Sequence, residues 1–124
     1  MRKLLFICVV ALAAVSVSAA SAAPEKSGPR VIRSGKCSGP ATWKLKLKND
    51  DGRLEVEFEV DQNVVGRRWN VVLRRNGRVV FRGVKRTLAP SGSFTARKLV
   101  AGPGGTVVAT ARSGAQSCHA VASL

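Results

Sequence analysis

The 124-residue sequence has no tyrosine, one histidine and three cysteines, and these scarcities exclude several kinds of site. A structural zinc site uses four Cys or His ligands, whereas His119 is the only histidine and no Cys-x-x-Cys spacing occurs. The sequence also lacks a G-x-S-x-G nucleophile motif. Binding of nucleic acid usually needs aromatic side chains that stack on bases. We therefore predict a protein that is not an enzyme, has no cofactor or metal, and is poorly suited to binding nucleic acid.

Acidic residues are missing from the second half of the chain. Residues 62–124 carry eleven Lys or Arg and no Asp or Glu, whereas residues 24–61 carry eight basic and seven acidic residues. The formal net charge of +14 therefore arises mainly after residue 61. An unbalanced positive field attracts polyanions. We predict a basic binding surface that contains Arg67, Arg68, Arg74, Arg78, Arg82, Lys85 and Arg86.

Three kinds of partner suit that surface: an anionic envelope polymer or anionic lipid surface, nucleic acid to a lesser degree, and an acidic protein. The simpler alternative is that the charge only keeps the protein soluble. The loops at 61–68, 85–92 and 113–117 form a second candidate surface, because loops at the end of such a fold often bind. The leading hypothesis is a non-enzymatic binding or surface-interaction module. The alternative is a secreted inhibitor-like or cationic antimicrobial-type protein.

The first 22 residues have the pattern of a secretory signal peptide. Arg2 and Lys3 precede an apolar run at 4–15, and small residues at 20–22 form an A-x-A cleavage pattern. We predict export, with no transmembrane span after cleavage and the oligomeric state left open. Residues 23–34 are predicted to be a flexible lead, and residues 35–124 to form one domain.

Two cysteines follow the predicted signal peptide, Cys37 and Cys118. An even pair of cysteines in an exported protein predicts one disulfide. Closing so long a loop stabilises the folded state by about 4–5 kcal/mol in the chain-entropy model.

Residues 43–61 alternate apolar and charged side chains on both sides of Asp51-Gly52, which predicts a β-hairpin with one buried face. A four-residue loop at 49–52 would set Lys48 against Arg53. A two-residue Asp51-Gly52 loop suits a type I′ turn and makes every outward pair opposite in sign. We predict the two-residue loop, with the pairs Asp50–Arg53, Lys48–Glu55, Lys46–Glu57 and Lys44–Glu59.

A second hairpin is predicted around residues 75–77. A two-residue Asn76-Gly77 loop would place Arg82 on the face of Trp69. A three-residue loop, with Gly77 left-handed in a bulge, would place Val79 and Phe81 on that face instead. We predict the three-residue loop, which leaves an outer face of valines among arginines, a composition typical of an interface. That face consists of Asn70, Val72, Arg74, Arg78, Val80 and Arg82.

Further strands are predicted at 94–99, 106–112 and 118–124, and a short edge strand at 31–32. Seven main strands and a short leading one, spaced by 8–12 residues without helical periodicity, predict an all-β fold. The expected architecture is an antiparallel immunoglobulin- or fibronectin-like β-sandwich with one disulfide and Trp69 buried in the third main strand. An up-and-down barrel is the alternative.

Several stretches resemble small secreted proteins of actinobacteria that have an immunoglobulin-like β-sandwich. The stretches are GKCS at 35–38, WKLK at 43–46 and GRLEVEFEVDQN at 52–63, followed by Gly66 and Trp69. The resemblance implies export and this fold. It implies no activity, and no catalytic residue is carried over from it.

Overall fold

Residues 28–124 are described by a computed structural model, and the predicted signal peptide lies outside the described residues. Within the described part of the chain the regular elements are all β-strands, as the sequence predicts. The strands are β1 (Arg30–Lys36), β2 (Thr42–Asp50), β3 (Arg53–Asp61), β4 (Arg68–Arg75), β5 (Arg78–Arg86), β6 (Ser93–Ala101), β7 (Thr106–Ser113) and β8 (Gln116–Ser123).

The strands form two four-stranded antiparallel sheets. The first sheet has the order β1-β2-β3-β6 and the second has the order β5-β4-β7-β8. The links β3–β4, β5–β6 and β6–β7 cross from one sheet to the other, as in an immunoglobulin- or fibronectin-like Greek key. The predicted sandwich is confirmed, and the barrel alternative is wrong because the two sheets are separate. The leading strand was predicted too short: β1 pairs with β2 over seven residues, from Arg30 to Lys36.

The core lies between the two sheets and follows from the period-two alternation of their strands. In β3 each apolar residue from Leu54 to Val60 is buried, whereas the intervening glutamates are only partly covered. Trp69 is fully buried in β4, the third main strand, which confirms its prediction. Its indole Nε1 donates a hydrogen bond to Gln62 Oε1 at 3.0 Å, so the buried polar end of the ring has a partner.

The first hairpin has the predicted two-residue loop. Asp51 and Gly52 have φ values of 49° and 73°, as a type I′ turn requires. All four predicted outward pairs are in register, from Asp50 opposite Arg53 to Lys44 opposite Glu59. The sequence pattern therefore determined this register correctly.

The charges on the outer face of the first sheet largely neutralise one another. Lys46 Nζ lies 3.3 Å from Glu57 Oε2, and Arg97 of β6 pairs with both Glu57 and Glu55. Burial by itself raises the pKa of Glu57, but hydrogen bonds from Arg97 and Lys46 outweigh it and hold that pKa below its ordinary value. The outer face formed by β2, β3 and β6 therefore carries no net formal charge, since its five basic residues match its five acidic ones.

The second hairpin differs from its prediction. The loop has two residues, Asn76 and Gly77, with φ values of 48° and 81°, and Arg74 lies opposite Val79. A bulge then follows, because Leu73 lies opposite Phe81 and leaves Val80 as the extra residue. The bulge shifts the strand by one residue, so Phe81 packs against the core without a three-residue loop.

That bulge also changes the outer face of the second sheet. Val80 is half-buried against the core, and Val79 takes its place as the exposed valine opposite Arg74. Arg78 lies opposite Arg75, which puts it on the other face of the strand from Arg74. The predicted positions of Val80 and Arg78 on the outer face were therefore wrong, whereas those of Asn70, Val72 and Arg82 hold in the register.

The predicted disulfide is confirmed between Cys37 and Cys118. Cys37 lies between β1 and β2, and Cys118 lies in β8, so the bond joins the two sheets on the side where their edge strands meet. Ser38 N donates to Ser117 O at 2.8 Å, and Ser117 N donates to Ser38 Oγ at 2.9 Å. The covalent link is thus supported by two hydrogen bonds between the same segments.

Candidate polyanion-binding face

The outer face of the second sheet carries three arginines from three neighbouring strands, and we call it the basic face. Arg82 of β5 lies opposite Val72 of β4, and Arg74 lies two residues further along β4. Arg112 of β7 lies opposite Asn70. Because cross-strand partners point to the same side of a sheet, the three guanidinium groups rise from one surface.

The three arginines border a shallow depression of about 380 Å³. Val72 and Thr110 lie opposite each other at its centre, and Asn70 completes the lining. From ordinary strand spacing, the Cα atom of Arg82 lies about 8 Å from that of Arg74 and about 12 Å from that of Arg112. The Cα atoms of Arg74 and Arg112 are about 14 Å apart. The arrangement suits several linked anions better than one small anion.

The basic face has no carboxylate to neutralise it. The four strands of the second sheet contain no Asp or Glu. The ion pairs within residues 28–124 use Lys46 and Arg97, both on the first sheet. Guanidinium groups without a counter-charge bind phosphate and carboxylate groups through two parallel hydrogen bonds, so the positive field of this face is available to a ligand.

The seven residues predicted from the sequence fall into separate places. Arg74 and Arg82 lie on the basic face, and Arg68 lies opposite Arg86 at the end of the same face nearest the disulfide. Arg67 is exposed in the loop before β4. The other two do not belong to the face, namely Arg78, which lies on the opposite side of β5, and Lys85, whose Nζ sits 5.8 Å from the Phe81 ring centroid.

Arg112 completes the basic face and was missed by the sequence reasoning. It lies far from the arginine cluster in sequence, and only the pairing of β4 with β7 brings it beside Asn70. The available signal was the alternation of residues 106–112, which puts Arg112 on the same side of β7 as Thr110. Recognising that β7 lies next to β4, and hence that Arg112 lies beside Asn70, required the strand order of the second sheet.

Arg75 is a basic residue of the same region whose role is structural. Its Nε donates to Gly104 O at 2.9 Å, and its two terminal nitrogens donate to the carbonyls of Ala101, Gly102 and Pro103. Gly105 has a φ of 117°, and a Cβ there would lie 3.1 Å from Arg75 Nε. Arg75 therefore organises the β6–β7 link and is not free to bind a ligand.

His119 lies on β8 opposite Thr110, with its side chain exposed beside the basic face. Within residues 28–124 no three His, Cys, Asp or Glu side chains are grouped in a way that would hold a metal ion. The same part of the chain contains no helix with the length and apolar character needed to cross a membrane.

Comparison of the chain with protein-family models, with curated proteins and with solved structures finds no significant match. The assignment of the fold therefore rests on its own strand order and register. Any function must be argued from the chemistry of its surfaces.

Proposed function

We propose that this protein is a secreted, non-enzymatic binding module whose basic face holds an anionic envelope polymer. The observation that carries the proposal is the set of three arginines, Arg74, Arg82 and Arg112, around one open depression on a sheet without acidic residues. A field of this kind raises the local concentration of polyanions and speeds their association.

The shape of the face favours a flexible polymer with repeated charges. A pocket for a small molecule normally buries most of its ligand's surface, whereas this depression is shallow and its arginines stand several ångströms apart. Exposed Val79 and Val84 border the arginines on β5. A polymer of phosphates linked by short carbon chains would satisfy both the guanidinium groups and these valines.

Nucleic acid fits the face less well because the surface offers no aromatic ring for stacking. Trp69 is buried in the core, and Trp43 lies half-buried in the first sheet. Phe81 packs against the core on the inner side of β5. A sequence-independent charge contact with DNA would still occur at low salt, and it serves as a comparison in the test.

The test is a salt titration of binding to a teichoic-type poly(glycerol phosphate) polymer. The double variant Arg74→Glu/Arg82→Glu should bind at least tenfold more weakly than the original protein and show a smaller dependence of log K on log salt. The matched control is Arg30→Glu/Arg33→Glu, which makes the same change in net charge at two exposed positions on β1 of the first sheet.

The two double variants separate a specific face from a general charge effect. We expect the control to lose about twofold at most, because distant exposed charges are screened over about 10 Å at 0.1 M salt. Equal losses in both double variants would show that only net charge matters. An absence of salt-sensitive binding to the polymer would refute the proposal.

A further inference from the structure

The end of the sandwich nearest the disulfide presents exposed apolar side chains on two adjacent loops, and we call this surface the loop tip. It consists of the β3–β4 loop, 62–67, and the β5–β6 loop, 87–92. Leu88 is 65% exposed and Val65 is 55% exposed, the largest values among the exposed large apolar residues of the described chain. Val64, beside Val65, is 44% exposed.

Hydrogen bonds hold the two loops of the tip together. Thr87 is buried, and its hydroxyl donates to Val64 O at 2.5 Å and accepts from Arg67 N at 2.8 Å. Gly66 N donates to Thr87 O at 2.7 Å, and Gln62 N donates to Gly92 O at 3.0 Å. The apolar side chains are therefore displayed by a preformed backbone, and binding through them would cost little further ordering.

Close packing of the two backbones supports the same view of a fixed tip. Gly92 has a φ of 73°, and a Cβ at this position would lie 2.4 Å from Val64 N. Only glycine therefore fits where the β5–β6 loop crosses the β3–β4 loop.

Arginines surround the apolar residues of the tip. Arg67 is exposed in the β3–β4 loop, and Arg68 and Arg86 lie opposite each other where β4 begins and β5 ends. Arg86 donates to Gly66 O at 3.3 Å, which holds its guanidinium against the tip. Asp61, at the end of β3, accepts a hydrogen bond from Asn63 N at 3.2 Å.

We propose that the loop tip docks on an anionic lipid surface. Leu88 and Val65 would enter the boundary between headgroups and acyl chains, while Arg67, Arg68 and Arg86 would contact lipid phosphates. Apolar residues rimmed by basic ones are the pattern that binds membrane interfaces. A protein partner fits less well, because three side chains on a tip fall far short of the roughly 800 Å² that a stable partner buries on each side.

This proposal does not depend on the proposed function. Leu88 and Val65 lie in loops, outside the strands of the basic face, and their contribution to binding is apolar. The two surfaces can therefore be inactivated separately, and the failure of one proposal is distinguishable from the failure of the other.

The experiment is sedimentation with sucrose-loaded vesicles of phosphatidylcholine, with and without about 30% phosphatidylglycerol. Leu88→Ser should weaken binding to the anionic vesicles about tenfold, from the loss of one inserted leucine side chain. The matched control is Leu99→Ser, the same substitution at a 46% exposed position on β6 of the first sheet. The control should bind as the original protein does.

The arginines of the tip are tested in the same assay. Arg67→Glu should weaken binding to anionic vesicles by at least fivefold, since each basic residue near such a surface contributes about that factor. Arg33→Glu, an exposed arginine on β1, is the matched control and should change the binding by less than twofold.

Three outcomes decide the proposal. Loss of vesicle binding in Leu88→Ser, with unchanged binding to soluble poly(glycerol phosphate), supports lipid docking through the tip. Equal vesicle binding of Leu88→Ser, Leu99→Ser and the original protein overturns it, and so does a loss of vesicle binding confined to Arg74→Glu/Arg82→Glu. Leu88→Trp provides an independent check, because tryptophan favours the membrane interface and this variant should bind several-fold more tightly.

Discussion

Replacement of Arg75 should destabilise the protein although the side chain contributes nothing to the apolar core. Its guanidinium donates hydrogen bonds to four consecutive carbonyls, from Ala101 to Gly104, in the link that carries the chain from the first sheet to the second. We take Arg75→Lys and Arg75→Ala as the perturbations. Lysine keeps the charge but lacks the planar fork of donors that reaches several carbonyls at once.

The expected magnitude follows from the exposure of the four bonds. The bonds to Ala101 and Pro103 are solvent-exposed, so water replaces them at little cost, whereas those to Gly102 and Gly104 are partly buried. A hydrogen bond from a charged donor contributes about 1.5–3 kcal/mol when buried, and partial exposure reduces this to roughly 1 kcal/mol each. Arg75→Ala should therefore cost about 2 kcal/mol, and Arg75→Lys about 1 kcal/mol.

Urea unfolding at neutral pH, with the disulfide intact, measures these changes as shifts in midpoint at constant slope. A loss of 2 kcal/mol corresponds to roughly 10 °C in Tm for a domain of this size. Arg78→Ala is the control, since Arg78 is the exposed cross-strand partner of Arg75 and should change stability by less than about 0.5 kcal/mol. Equal stability of Arg75→Ala and Arg78→Ala would refute the structural role of Arg75.

The remaining predictions concern the disulfide, one ion pair and one glycine. Replacing Cys37 and Cys118 by serine should lower the unfolding free energy by about 4.5 kcal/mol, from the entropy of a loop with a sequence separation of 81. Denaturant unfolding measures this loss, and a loss below about 1 kcal/mol would contradict the estimate. The Glu57 ion pairs stabilise the fold above the ordinary pKa of 4.5, and this contribution is lost as the pH falls through the lower folded pKa. Glu57→Gln should therefore reduce the fall in Tm between about pH 7 and pH 3, and an unchanged fall would be evidence against the pair. Gly92→Ala should cost about 2–3 kcal/mol in thermal unfolding, because a clash adds to the backbone strain. Gly52→Ala, at the same φ of 73° in open space, should cost only about 1 kcal/mol. Similar losses in the two alanine variants would show that the loops move apart freely.

The first hairpin shows what an alternating sequence can settle. Charges of opposite sign face each other only if the loop is Asp51-Gly52, and the observed register has that loop. Local pattern was sufficient because both strands and their turn are contiguous in the chain. The disulfide could also be predicted from the sequence, because two cysteines in the predicted mature chain allow only one intramolecular pairing.

The second hairpin shows where local pattern was insufficient. The sequence required Phe81 to face the core, and a longer loop and a bulge both satisfy that requirement. The chain uses the bulge at Val80, which lets Asn76 and Gly77 keep a tight type I′ turn. The choice depends on how β5 packs at the edge of its sheet, and periodicity carries no information on this.

The sequence by itself determined the class of the fold, the faces of most strands and the segregation of positive charge after residue 61. Alternation and charge are local properties, so they can be read without coordinates. Only the tertiary structure decided which basic residues act together. It placed distant Arg112 on the same face as Arg74 and Arg82 and put Arg78 on the opposite face. It also committed Arg75 to the β6–β7 link and joined the loop that carries Leu88 to the loop that carries Val65. The physical reason is that strand order and loop contacts bring residues far apart in sequence together, and no local pattern encodes that pairing.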